Sequence, residues 1–193
     1  MNVIFMGTPD FSVGVLEEII RAGHEVVLAV TQPDKPKGRS GQMQFPPVKE
    51  CALRHGLTIW QPQKIKTPEW VDRLRQLQAD IFVVAAFGQI LSKEILDMPK
   101  YGCVNIHASL LPKYRGAAPI NWAIINGEKE TGVTIMQMNE GVDTGDMLTR
   151  VVVPIAPKET AETLFDKLAK AGAELIVETL PRLEAGEIIP GPQ

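Results

Sequence analysis

The first thirty residues leave few folds open. Val3-Ile-Phe-Met6 is a continuous apolar run ending at Gly7, the pattern of a strand buried on both faces. Thr8 reads as an N-cap and Pro9 as the first helical residue. Phe11, Val15, Leu16, Ile19 and Ile20 then share one helical face until Gly23 ends the helix. Val26-Val-Leu-Ala-Val30 follows as a second buried strand. A strand, a crossover helix and a strand imply parallel pairing with a right-handed connection. The expected class is α/β: a Rossmann-like open, mostly parallel sheet with helices on both faces.

The rest of the chain keeps this rhythm. Helices are expected through residues 51–54, 69–77, 92–96 and 119–125, and strands at 58–60, 80–86, 101–107, 131–138 and 147–153. A last helix starts near Thr160 with Leu164, Leu168, Leu175 and Ile176 inward, and Pro181 is expected to break or kink it. The length of 193 residues suits one domain spanning 1–193. Residues 185–193 are rich in Gly and Pro and read as the start of a linker, which suggests a catalytic part of something longer.

Composition narrows the function classes. A net charge of −3 gives no global attraction to nucleic acid or membrane, so any polyanion site must be local. No apolar run reaches the ~18 residues of a membrane span, and no basic leader opens the chain, so a cytoplasmic protein is expected. Cys51 and Cys103 are the only cysteines, in keeping with a reducing compartment. His24, His55 and His107 show no ligand spacing to one another or to the cysteines, so no metal is expected.

The chemistry concentrates between Asn105 and Asp143. Side chains alternate along a strand, so Asn105 and His107 face one way while Ile106 packs behind them. They stand at the end of a strand, where sites in open α/β sheets cluster. Asp143 lies in a loop flanked by Gly141 and Gly145, which let a ligand approach the backbone. An amide donor, a group titrating near neutrality and a carboxylate suit acyl transfer to an amine. Each residue alone has a structural reading (a strand-end His, a capping Asn, a turn Asp), and only the combination favours catalysis. The Gly7 turn lacks the G-x-G-x-x-G fingerprint and carries Pro9 where a pyrophosphate would need a backbone donor, which argues against a nicotinamide dehydrogenase. The stretch from Pro33 to Lys49 holds Lys35, Lys37, Arg39 and Lys49 against Asp34. A solvated loop is the plain account, but a loop of that length is uncommon without a function, and this one could clamp a phosphate backbone.

Together these segments resemble the methionyl-tRNA formyltransferase family, within the wider group of 10-formyltetrahydrofolate-dependent formyltransferases. The likeness covers essentially the whole chain: Gly7-Thr-Pro-Asp-Phe11, the loop through Arg39, Asn105-x-His107, Ser109-Leu-Leu-Pro112, Arg115-Gly-Ala-Ala-Pro119, the run 131–138 and Gly141-Val-Asp-Thr-Gly-Asp146. The resemblance implies a catalytic trio of Asn105, His107 and Asp143. It implies a site for the co-substrate 10-formyltetrahydrofolate lined by Ser109, Leu110, Leu111 and Pro112, by Phe87, Gln89, Ile90 and Leu91, and by Gly141 and Val142. Lys35, Lys37 and Arg39, with Gly7, Thr8, Pro9 and Phe11, are implied on the side of the substrate, initiator methionyl-tRNA. Members of the family also carry a C-terminal β-barrel that binds tRNA, which this sequence does not include. A monomer without membrane association is expected. The alternatives are an enzyme that formylates a nucleotide-linked amino sugar, which would not need the basic loop, and a folate- or RNA-binding module without turnover.

Overall fold

The computed structural model describes residues 1–193, which fall into two compact units, 1–103 and 104–193. The first runs β1 (Asn2–Gly7), α1 (Asp10–Arg21), β2 (Glu25–Val30), β3 (Lys35–Lys37), β4 (Gln42–Gln44), α2 (Pro47–Arg54), β5 (Ile59–Trp60), α3 (Pro68–Gln76), β6 (Ile81–Ala85) and α4 (Lys93–Leu96). Then come β7 (Cys103–His107), α5 (Pro119–Ile125), β8 (Glu130–Gln137), β9 (Met147–Pro154) and α6 (Ala161–Glu184). The strand order is β5-β2-β1-β6 in the first unit and β7-β8-β9 in the second. No helix is long and apolar enough to cross a membrane.

In the first unit the opening pattern becomes a parallel sheet: β1 pairs with β2 and β6, and β2 pairs with β5. Val3, Ile4, Phe5 and Met6 are fully buried, as a strand covered on both faces requires. Gly7 is needed for packing. A Cβ there would sit 2.8 Å from the Ala85 carbonyl oxygen and 2.9 Å from the Phe5 ring and from Ser12. The N-cap of α1 is Pro9 and not Thr8. Thr8 instead spends its hydroxyl on the Phe87 carbonyl at 2.9 Å, tying the end of β1 to the segment after β6.

The basic stretch is an antiparallel hairpin. β3 and β4 pair from Lys35–Gln44 to Lys37–Gln42, and all six of their residues are exposed. Its base is closed by Lys49, whose ammonium lies 3.0 Å from both Asp34 carboxylate oxygens and 3.7 Å from the centre of the Phe45 ring. Lys49 is therefore neutralised, and Lys35, Lys37 and Arg39 carry the hairpin's free charge. The Gln61 amide, 2.7 Å away, and then Lys49 hold the Asp34 carboxyl below its usual range.

The second unit is antiparallel: β7 pairs with β8, His107 opposite Thr134, and β8 pairs with β9. The parallel part of the expected sheet thus belongs to the first unit. β8 is buried on both faces from Thr131 to Met136, and α6 packs against β8, β9 and α5. A capping box between Thr160 and Thr163 starts α6, and Leu164, Leu168, Ile176 and Leu180 are fully buried along it. Pro181 does not break the helix, which continues to Glu184. So near the C-terminus the proline removes only one hydrogen bond, and the buried Leu180 holds the turn. In the segment expected to begin a linker, Gly191 and Met147 exchange backbone hydrogen bonds of 2.7 and 2.9 Å.

A depressed folded-state pKa means Asp34 stabilises above its unfolded value of about 3.9, and that contribution is lost as pH falls through the lower folded value. Asp34→Asn should therefore lower the melting temperature at pH 6, with the gap to wild type narrowing below about pH 4. A gap constant with pH would show that the carboxylate charge does not hold the hairpin base.

Candidate active site

Strand alternation sets up the site. β7 buries Val104 and Ile106 and turns Asn105 and His107 to the opposite face, with Asn105 half-buried and His107 8% exposed. No hydrogen bond within the protein takes the Asn105 amide, which leaves a free N–H donor on that face. The loop from β8 to β9 brings Asp143 to the same place: its Oδ2 is 3.6 Å from His107 Nδ1. All three residues of the expected trio lie in the second unit, and both side chains of the His–Asp pair are largely shielded.

The other ring nitrogen decides the orientation of the imidazole. His107 Nε2 lies 2.8 Å from the Tyr114 carbonyl oxygen. A carbonyl only accepts, so Nε2 carries the hydrogen, and Nδ1 is the nitrogen turned toward Asp143. A backbone group orients the ring. Tyr114 is itself pinned. Its hydroxyl donates to Glu128 at 2.8 Å and accepts from Asn126 at 2.9 Å, in a left-handed conformation with φ of +57°. Two residues on, Gly116 N–H donates to Asp143 Oδ2 at 2.8 Å. The segment 109–118 therefore grips both members of the pair; in sequence Tyr114 carries no signal, and Gly116 stands only within the Arg115–Pro119 motif. The glycine in Arg115-Gly116, at φ of +85°, was the one available signal.

The remaining expected residues divide into accessible and committed groups. Val142 is 72% exposed beside Asp143, Pro112 is exposed and Leu110 is half-buried. Ser109 and Leu111 are inside: the Ser109 hydroxyl donates to the Lys113 carbonyl at 2.6 Å, and Leu111 N–H donates to Thr134. In the first unit Ile90 is 73% exposed, whereas Phe87 and Leu91 are buried. The Gln89 amide is fully used, donating to Gln32 and Pro62 and accepting from Ile65 N–H, each at 2.8 Å. Gly7 and Phe11 are packed in the core. Thr8 and Pro9 line a cavity of about 270 Å³ with Gln32, Pro33, Lys35 and Phe45.

One cluster outside this site has metal-ligand chemistry. Cys51 and His55 stand four residues apart at α2, contrary to the expectation that no histidine is ligand-spaced to a cysteine, and with Glu17 their ligand atoms lie within 4.8 Å of one another. Burial, then the Glu17 charge, pushes the Cys51 thiol up to about 11. The Arg54 guanidinium sits 3.4 Å from Glu17. A protonated thiol and an adjacent cation both oppose binding of a metal ion there.

A family model described as formyl transferase matches residues 1–180. The chain belongs to the formyl transferase family. Methionyl-tRNA formyltransferase of Agathobacter rectalis is 66% identical over 96% of this chain. The enzyme of the same name from Citrifermentans bemidjiense is 54% identical over all of it. The chain spans 60% and 61% of the length of these two relatives. Among solved structures, phosphoribosylglycinamide formyltransferase from Bacillus halodurans superposes with a TM-score of 0.80 at 28% identity, covering 95% of each chain. The expected Rossmann-like formyltransferase fold is thereby established.

The grip of residues 114–116 on the His–Asp pair can be tested by stability. An alanine at position 116 must adopt a left-handed conformation at a cost of ~1–2 kcal/mol, which corresponds to a fall in Tm of ~2–8 °C. An unchanged Tm for Gly116→Ala would mean that the loop redraws itself without strain.

Proposed function

We propose that this chain transfers the formyl group of 10-formyltetrahydrofolate to the free α-amine of initiator methionyl-tRNA. The observation that carries the reading is the convergence of an unpartnered amide, Asn105, with a His–Asp pair 3.6 Å apart. The names of the 66% and 54% identical relatives support the choice of acceptor.

The reaction forms a bond from the amine nitrogen to the formyl carbon and breaks the bond from that carbon to the donor nitrogen. One proton passes, in net, from the amine to the departing nitrogen. Negative charge gathers on the formyl oxygen on the way, and preorganised donors stabilise it. The Asn105 amide is one such donor. His107 provides the second through Nδ1, in its imidazolium form, because Nε2 is held by the Tyr114 carbonyl. At 3.6 Å the Nδ1–Asp143 separation is longer than a hydrogen bond, so a reacting group or a water fits against both. Asp143 balances the imidazolium charge and accepts the amine's proton, directly or through that water.

Binding surfaces follow from the accessible residues. Val142, Leu110 and Pro112 in the second unit offer apolar contact to the folate ring system. Gln89 acts by holding its loop, since its amide is occupied. The hairpin's three cations face the phosphates of the acceptor arm, and the cavity beside Thr8, Pro9 and Phe45 suits the apolar methionyl side chain or the terminal base.

His107→Ala should lower single-turnover formyl transfer at saturating substrates by ~100-fold or more, the scale expected for a lost oxyanion donor. Retention of the wild-type rate would remove His107 from the mechanism. Arg39→Ala should weaken RNA-dependent turnover and reduce the slope of log K against log salt by ~0.7–0.9, with folate binding unchanged. Equal slopes for both proteins would return the hairpin to an ordinary solvated surface.

A further inference from the structure

Asp143 has a demanding backbone. Its φ is +53°, a left-handed conformation that a residue with a Cβ holds only when its surroundings insist. Part of the constraint is local. The Asn139 side-chain oxygen accepts from Gly141 N–H and the Thr144 hydroxyl at 2.9 Å each, and Gln137 N–H closes the loop on the Asp146 carbonyl at 2.8 Å.

The rest of the constraint comes from fifty residues away. The Gln193 amide nitrogen donates to the carbonyl oxygens of both Asp143 and Gly145, each at 2.8 Å. Its amide oxygen accepts from Arg115 Nε at 2.9 Å. Arg115 adjoins Gly116, whose N–H bonds the Asp143 carboxylate. Both N–H groups and the oxygen of this one side chain are therefore used, and two carbonyls on one side with a guanidinium on the other allow a single orientation of the amide. The bridge of Gly191 to Met147 delivers the side chain to this place.

We infer that Gln193 is a positioning residue for formyl transfer: it staples the loop that carries Asp143 to the loop that carries Arg115 and Gly116, and so sets the His107–Asp143 geometry. The inference rests on the proposed function. A displacement of about 1 Å in a reacting group is enough to lower a rate by about 100-fold, so a staple on the backbone of a catalytic carboxylate acts on turnover ahead of binding.

The test compares Gln193→Ala and Gln193→Glu with wild type in the 193-residue chain, using methionyl-tRNA and 10-formyltetrahydrofolate. Gln193→Glu keeps an acceptor for Arg115 but sets oxygen against two carbonyls, so it should be no better than alanine. Expected are a kcat at least ~10-fold lower for both, with KM for the formyl donor within about twofold of wild type. The Gly116 amide should exchange its hydrogen at least ~10-fold faster, while Val133 and Ile135 in β8 exchange as before. Wild-type kcat in both variants, or equal acceleration of exchange throughout β8 and β9, would overturn the inference. If the wild-type chain itself transfers no formyl group, the proposed function fails. The Gly116 exchange rate then decides the staple alone: unchanged in Gln193→Ala, it ends the idea.

Discussion

The bond between His107 Nε2 and the Tyr114 carbonyl organises everything around it. Because a carbonyl oxygen only accepts, it settles which ring nitrogen bears hydrogen and turns the other toward Asp143. Without that anchor the imidazole could rotate, and the carboxylate opposite would have no fixed partner. The anchor is a main-chain atom, so its position depends on a loop and on what holds the loop: Tyr114 bound to Glu128 and Asn126, and Gly116 bound to Asp143. The site is a closed circuit of restraints that leaves the Asn105 amide and His107 Nδ1 uncommitted.

Much of the fold was readable because it follows from burial with a clear period. The apolar run of β1, the helical face of α1 and the second run of β2 dictate a parallel start, and strand alternation alone placed Asn105 and His107 together. Where the structure departs from the sequence pattern, the deciding interactions are between groups that carry no such period. Thr8 has the chemistry of a cap, but its hydroxyl oxygen accepts from Gln32 N–H at 3.3 Å while its hydrogen goes to the Phe87 carbonyl 79 positions away. Pro181 ends helices in general, yet here the inward Leu180 keeps the last turn in place. The hairpin of β3 and β4 buries none of its side chains, so no hydrophobic pattern marks it.

The candidate site was legible to the same extent and for the same reason. The three side chains of the expected trio have recognisable chemistry, whereas the groups that position them do not. A backbone oxygen at Tyr114 has no sequence signature, and Gln193 stands in a Gly- and Pro-rich stretch that reads as a spacer. The same distinction separates Ser109 and Gln89, whose polar groups turn inward to hold their own loops, from Val142 and Ile90, whose apolar surface remains open.

The hairpin at residues 35–44 stands apart from the hydrophobic interior and is clamped at its root by Asp34 and Lys49. Its six strand residues are all exposed, so substitutions there touch little of the folding free energy. On the proposed function, the residues that meet the acceptor and those that keep the protein folded are different, and evolution can revise the first without renegotiating the second.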